Sequence, residues 1–270
     1  MVKRYWGRGA APGIAIGPAL VWQPEPAALK NKDASGNPQE ERARLEAAVE
    51  AAAAELKRLK IQAEEEIGVE EGQIFEAQLL MLADPALVGA ALEAVSQGES
   101  AATALAAVVE EQAALLEQLA DEYLAERAAD VRDVGEQIQA HLRGEKQGLP
   151  QLKTPSILVA KELTPSLTAR LTKKHLLGFV TEAGGSTSHV AIMARSLGIP
   201  AVVALEGIVD QIDKGQLVAL DGASGEVEIG PTAMGRSRWK KRRDRQESKY
   251  NQSLALASEP ALTVDGHPVT

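Results

Sequence analysis

Residues 181–200, TEAGGSTSHVAIMARSLGIP, join a strand-like run to a helix through a glycine hinge. Gly184 and Gly185 allow backbone angles closed to other residues and let a ligand approach the main chain closely. Ser186, Thr187 and Ser188 are helix-capping types, so a helix should start within them or at His189. Val190, Met193, Ala194 and Leu197 recur at helical spacing and give one buried face, and Gly198 followed by Pro200 stops it. His189 thus falls in the first turn, where free backbone N–H groups and the helix dipole favour an anion. Neutral imidazole is also a nucleophile. A nucleophile at an anion site points to attack on phosphorus, with the phosphoryl group left on nitrogen. A capping or surface histidine behind a glycine-rich turn fits the same spacing, and the motif alone leaves both open.

Around this stretch the sequence alternates. SILVAKE, LLGFVTE, AVVAL, QLVALDG and EVEIG are short strand-like runs, with helical pieces near 166–174 and 189–197 between some of them. That alternation implies a compact α/β unit. At the other end of the chain, PGIAIGPALVW (residues 12–22) reads as one or two short strands around a glycine and proline turn. Those strands need a sheet, and the later runs supply it. A loop rich in Pro, Lys, Asn and Gly follows them.

The segment between is helical in period. Asn37 caps a helix that begins at Pro38, and Leu45, Val49, Ala52, Leu56, Leu59 and Ala63 form a seam along it. Further helices are expected over 70–82, 85–97, 101–119 and 122–143, starting at Asp84-Pro85, Ser100 and Asp121 and stopping at Gly144. The expected architecture is an α/β unit (1–36 and 145–231) with an inserted helical bundle (37–144) of antiparallel hairpins. The period changes back after Gly148-Leu149-Pro150. A basic helix carrying WKKRRDRQ is expected over about 232–250, as a solvated connecting helix, and a linker beyond it.

Composition narrows the chemistry. There is no cysteine, which excludes disulfides, thiolate metal sites and a cysteine nucleophile within this chain. The early run GRGAAPGIAIGPALVW is broken by Pro12, Gly13, Gly17 and Pro18, so neither a signal peptide nor a membrane span is expected, and the cytoplasm is the default location. Residues 37–144 hold 23 acidic and 8 basic residues, a balance of −15, while the remainder holds 15 acidic and 21 basic. An acidic half argues against nucleic acid and suits a basic protein surface, although a solvated helical surface has the same composition.

GGSTSHVAIMARSLGIPAVV closely resembles the phosphohistidine signature of phosphoenolpyruvate-utilising enzymes. APGIAIGPAL, DEYLAERAADVRDVG and LTPSLTARL resemble the opening strand, the last insertion helix and the segment facing the histidine in one branch, enzyme I of the bacterial phosphotransferase system. The resemblance covers nearly all of residues 9–270, in family order. It implies an α/β phosphohistidine (swivelling) domain with an inserted all-α bundle, His189 as the phosphorylated nucleophile, and Thr168 as the hydroxyl that steers its ring. Gly184, Gly185, Ser186, Thr187, Ser188 and Arg195 match the loop and helix around the phosphoryl group. The family's partner is the phosphocarrier protein HPr, and its face on the bundle would include Phe75, Gln78, Leu80, Met81, Leu82, Asp84 and Arg127.

Two departures qualify the match. Enzyme I commonly has arginine where this chain has Ser186, which removes a cation near the phosphoryl path. The family's phosphoenolpyruvate and Mg2+ site lies on a C-terminal (β/α) barrel of roughly 250 residues. Residues 263–270 resemble only its beginning, so no cofactor or metal is expected within this chain, and the fragment is expected to be a monomer. A dikinase or phosphoenolpyruvate synthase relative, or a non-catalytic HPr-binding module, are the competing readings. The long helical insertion and the intact His189 and Thr168 speak against them, respectively.

Overall fold

Strands from both ends of the chain meet in one sheet. In the computed structural model β1 (Lys3–Trp6), β2 (Arg8–Ala11) and β3 (Ile14–Trp22) precede the helical segment. After it come β4 (Ser156–Ala160), β5 (Leu176–Thr181), β6 (Ala201–Val203), β7 (Leu217–Asp221) and β8 (Glu226–Ile229). The structure describes residues 2–23, 36–66, 68–119, 122–144, 152, 154–171, 175–185 and 189–257. The expected loop after residue 23, the helix start at Asp121, the change of period at 148–150, the serine–threonine cap at 186–188 and the segment 258–270 lie wholly or largely outside these residues.

The sheet order is β1-β8-β7-β3-β4-β5-β6-β2. β3, β4, β5 and β6 run parallel, while β7, β8, β1 and β2 join antiparallel. β1 and β2 stand at opposite ends of this order although only Gly7 separates them in the chain. The sheet therefore curls until its ends meet at that residue. Its seam is backbone on backbone: a Cβ on Gly222 would run into the Ala11 carbonyl, and one on Gly225 into that of Gly7. Inside the curl Ile157, Val159, Val180, Val202, Val218, Leu220 and Val227 pack together. The fully buried members of this cluster are all aliphatic, and Tyr5 of β1 packs against them.

Two sequence expectations change here. β3 is a single strand, one of the two readings the sequence left open, but it runs through Gly17 and Pro18 without the expected turn. Residues Ile14–Pro18 pair with β7 and Ala19–Trp22 with β4, so the proline stands where the strand changes neighbours and its missing N–H costs little. The edge strand β1 was not expected from the sequence. It forms by backbone pairing of Lys3–Trp6 with β8, and Arg4 reaches buried Glu228 beside that ladder at 3.0 Å.

Helices α1 (Pro38–Glu66), α2 (Val69–Leu82), α3 (Ala90–Ser96), α4 (Ala101–Gln118) and α5 (Glu122–Leu142) form the bundle. Asn37 accepts from the Gln39 N–H at 3.0 Å and Ser100 from that of Thr103 at 3.2 Å, the caps expected of those residue types. Leu45, Ala52, Leu56, Leu59 and Ala63 are buried along α1. Between α2 and α3 the chain makes a wide π-helical turn over Pro85–Gly89, where a regular helix is expected from the sequence; Asp84 caps that turn by accepting from the Ala86 N–H at 2.8 Å. Buried Glu41 of α1 accepts from the Ala101 N–H at 2.8 Å, so one helix caps another.

Two short helices cross the outer face of the parallel strands. α6 (Pro165–Arg170) follows β4, and α7 (His189–Leu197) follows β5. Leu167, Val190, Ala191 and Ala194 cover Leu158 and Phe179. α6 is shorter than expected, ending before residue 171. α8 (Ala233–Ala257) is longer, running seven residues past the expected end. Its basic run is less solvated than expected: Trp239 is fully buried and donates Nε1–H to Glu228 at 3.2 Å, while Arg242 pairs with Asp221 and Glu226, each at 2.7 Å. Among the described residues no single helix is long and apolar enough to cross a membrane.

The seam yields a test. Gly222→Ala forces a methyl group into backbone that has no rotamer to move, and should destabilise the fold by about 3 kcal/mol or more in urea melts. A cost within 0.5 kcal/mol or so, the range of an ordinary surface substitution, would mean that the sheet does not close as described.

Candidate functional site

His189 opens α7 at the C-terminal end of β5, and α6 opens at the C-terminal end of the neighbouring parallel strand β4. Two consecutive β-to-α crossovers on one sheet deliver both helix starts to the same edge, where ligand sites of parallel sheets gather. The turn before α7 is tied down from below. Ala183 donates its N–H to the Lys161 carbonyl at 2.9 Å, and the Glu182 carboxylate accepts from the Val209 N–H at 2.9 Å. Gly184 has φ of 103°, a conformation that side chains other than glycine rarely adopt. Gly185 is half-buried beside it.

The bundle closes over this edge. Ser166 of α6 donates Oγ–H to Asp133 of α5 at 2.8 Å, and its backbone N–H reaches the same oxygen at 3.3 Å. Gln78 of α2 donates to that Asp133 oxygen at 3.0 Å, and Gln137 donates to Ser166 Oγ at 2.8 Å. A second set of contacts flanks this one: Arg170 pairs with Glu55 at 3.1 Å, and Ser196 donates to Glu71 at 2.6 Å. Ala169 and Met193 join the apolar core of the bundle.

One turn before Asp133, Asp130 faces the histidine. Its Oδ1 lies 3.9 Å from His189 Nδ1, beyond hydrogen-bond length but within ion-pair range, and its Oδ2 accepts from Arg127 at 3.0 Å. The Asp130 side chain is 5% exposed and that of His189 27%, so the ring borders solvent and the carboxylate does not. Burial raises the Asp130 pKa to about 6, against the opposing pull of Arg127. Burial likewise raises Asp133, against four hydrogen bonds that favour its charged form; Glu162 is exposed, and partial desolvation by its neighbours together with repulsion from Asp133 raises it too.

The positions expected from the sequence divide. Gly184, Gly185 and His189 share the edge, and Thr168 sits on the helix packed beside α7. The Thr168 hydroxyl donates to the Thr164 carbonyl at 2.8 Å, so its role toward a ring can only be to accept. Arg195 lies in the last turn of α7 and donates to the Ala10 carbonyl of β2 at 2.7 Å, which seats the helix on the sheet. Ser186, Thr187 and Ser188 fall outside the described residues. Of the expected partner face, Phe75, Gln78 and Leu82 are buried and cannot form a docking surface, because two fill the core and Gln78 serves Asp133. Leu80 (70% exposed), Met81 and Asp84 remain accessible, and Arg127 belongs to the histidine site through Asp130.

Sequence reading missed Asp130, Asp133, Ser166 and Gln137. A signal was present: Arg127, Asp130, Asp133 and Gln137 recur at spacings of three, three and four, bordering the buried stripe Ala128, Val131, Val134 and Ile138. Carboxylates along the margin of a buried stripe are costly and ask for a reason.

Asp130 supplies a pH test. Its folded pKa of about 6 exceeds the ordinary 3.8, so between those values the folded chain holds the extra proton. The penalty vanishes as pH falls below about 4 and is complete above about 6, where it amounts to roughly 1–3 kcal/mol. Asp130→Asn should therefore stabilise the protein by that amount at pH 7 and by almost nothing at pH 4, read by urea melts at both. Destabilisation at pH 7 would show that the Arg127 pair outweighs the burial.

Comparisons with known proteins agree in direction. Residues 6–127 match the family model for the N-terminal domain of PEP-utilising enzymes, and residues 152–225 that for their mobile domain. The chain is 37% identical over 271 residues to the phosphoenolpyruvate-protein phosphotransferase of Mycoplasma pneumoniae, covering 99% of this chain and 47% of that protein. It is 36% identical to the phosphoenolpyruvate-protein phosphotransferase of Priestia megaterium, again over 47% of the relative. The chain thus spans about half the length of the curated relatives it matches. Among solved structures it is similar to an NMR structure of enzyme I, with a TM-score of 0.70 and 39% identity, covering 90% of this chain and 99% of that one. It is also similar to the N-terminal domain of a nitrogen-type enzyme I, with a TM-score of 0.56, 29% identity and coverage of 88% and 98%.

Proposed function

Since the chain belongs to the enzyme I family of phosphoenolpyruvate-utilising enzymes, we propose that it carries a phosphoryl group on His189 and exchanges it with the phosphocarrier HPr. One observation carries this reading above the others. The histidine stands at the first residue of α7, half-open to solvent, in front of a glycine turn and against a bundle with an acidic surface.

The chemistry follows from those parts. A lone pair on one ring nitrogen attacks phosphorus in the phosphohistidine of the donor. The new P–N bond forms as the donor's P–N bond breaks, and the electron pair returns to the donor imidazole. The other ring nitrogen keeps its proton throughout. N–H groups at the start of α7 face the transferring group, which is stabilised by charge and positioning more than by bond-making with the protein. Thr168 would accept from the ring and steer it.

Taking phosphate from phosphoenolpyruvate requires Mg2+, cations for the substrate and a proton for the enolate. We assign that half-reaction to the part of its relatives that this chain does not span. Within a bacterial phosphotransferase system the location would be the cytoplasm.

The test uses purified chain and two donors. Phosphorylated HPr should label it with acid-labile, alkali-stable phosphate without added metal, whereas phosphoenolpyruvate with Mg2+ should not. His189→Ala should abolish the label. Label persisting in that variant, or silence with phosphorylated HPr, would overturn the assignment.

The docking face has its own signature. Leu80→Ala should weaken HPr binding by roughly tenfold with stability unchanged, as an exposed apolar contact in a small interface would. Phe75→Ala, in the core, should instead cost about 3–5 kcal/mol of stability. Association should slow as salt rises, because the bundle is acidic. NMR shifts on HPr binding that spare the bundle would remove this face.

A further inference from the structure

A strained residue lies one strand away from the glycine turn. β5 and β6 pair at Phe179–Ala201 and Val180–Val202, a register that, continued regularly, brings the Ala204 N–H to the Thr181 carbonyl. Leu205 donates there instead, at 3.1 Å, so Ala204 is an extra residue in the ladder. Its φ is 55°, the one positive value outside glycine among the described residues, and such a conformation persists only where the surroundings impose it. The bend it makes carries Leu205 and Ile208 into the core inside the curl. It also turns the N–H of buried Val209 onto the Glu182 carboxylate, which accepts it at 2.9 Å.

We propose that Glu182 is a positioning residue for phosphoryl transfer: by accepting the Val209 N–H it ties the glycine turn to the loop after β6, and so fixes the main chain of Gly184 and Gly185. This rests on the phosphohistidine reading above. Two consecutive glycines have wide backbone freedom, so the turn cannot hold its own course and inherits it from both flanks. On the helix flank, Arg195 and Ser196 seat α7 on β2 and α2. On the strand flank, the N–H groups of Glu182 and Ala183 donate to carbonyls of Ala160 and Lys161 at the end of β4. Thr181 Oγ1 closes the turn by donating to the Ala183 carbonyl at 2.7 Å. Toward β6 the ties are the Thr181 carbonyl and, one residue nearer the glycines, the Glu182 side chain. Phosphoryl transfer depends mainly on positioning, and a displacement of about 1 Å can cost roughly a hundredfold in rate.

The experiment has one arm that needs no phosphate. In the unphosphorylated protein, 15N relaxation should give Gly184 and Gly185 amide order parameters near the rigid value of about 0.85. Glu182→Ala, and Glu182→Met, which keeps the length of the side chain without an acceptor, should lower both below about 0.6. Amides of Val159 and Val202 in the sheet should stay as in wild type, which shows that both variants are folded. In the second arm, with phosphorylated HPr as donor, the same variants should lose roughly tenfold or more in limiting transfer rate. The donor concentration for half-maximal rate should stay within about twofold, because the docking face on the bundle is untouched. Glu182→Gln retains an acceptor oxygen at the same reach and should keep the rigid turn and a rate within about threefold of wild type. Order parameters unchanged in the Ala and Met variants overturn the proposal. So does a Gln variant as slow as those two, which assigns the effect to charge, or a shift in half-saturation with the limiting rate intact, which makes Glu182 a docking contact. Failure of wild type to take phosphate would defeat the functional reading while leaving the order parameters in place.

Discussion

The buried carboxylate of Asp133 governs how the two parts of this molecule meet. A charge taken out of water without a counter-ion is tolerated only where donors surround it, and here Ser166, Gln78 and the Ser166 backbone N–H converge on one oxygen. Those donors come from α6 and α2, so the requirement to satisfy Asp133 clamps the crossover helix of the sheet onto the bundle. Shifting the bundle by one helical turn would strand the carboxylate. The register of α5 against α6 is thereby set, and with it the residue that faces His189. An apolar joint of residues such as Ala169 and Met193 alone would specify far less.

The sheet sets the other half of the geometry. β4 and β5 are adjacent and parallel, and each is followed by a short helix on the same face. Crossovers of one hand, the rule for parallel strands, bring two helix N-termini to one edge without any contact between the helices having to arrange it. The curl of the sheet then holds that edge rigid. Gly222 and Gly225 let backbone lie on backbone at the seam, and Glu228 gathers Arg4, Arg238 and Trp239 from both termini of the unit. Residues at opposite ends of the sequence thus bear on one scaffold, which is why an insertion as long as α1–α5 can interrupt the chain between β3 and β4 without disturbing it.

Much of this was legible in the sequence, for identifiable reasons. Period and punctuation carry information locally: the glycine pair, His189 and the stop at Gly198 locate α7, and the α1 seam reports its buried face residue by residue. What was not legible depends on partners distant in sequence. Lys3–Trp6 has no strand period of its own and becomes a strand through β8. Phe75 and Leu80 look alike as apolar residues of one helix, yet one is buried and the other exposed, and only the packing of α2 on its neighbours decides which. Gln78 reads as a surface amide until Asp133 is placed opposite it. Arg195 lies one helix from the histidine in sequence but is turned to β2. Buried polar pairs leave little periodic trace, because their logic is mutual satisfaction rather than exposure.

The charges around His189 also bear on what the site could do with a phosphoryl group. A phosphorylated imidazole would bring about two negative charges to an edge already bordered by Asp130, Asp133 and Glu162. Against them stand Arg127 and the partial positive charge at the start of α7. A site built to bind phosphate tightly would reverse that balance, with several cations and no buried acids. Here acids stand beside the one arginine, so a phosphoryl group would meet repulsion as well as attraction. Near-equal affinity for loaded and empty states is what reversible transfer between two histidines demands, since any surplus binding of the loaded state would have to be returned when the group departs.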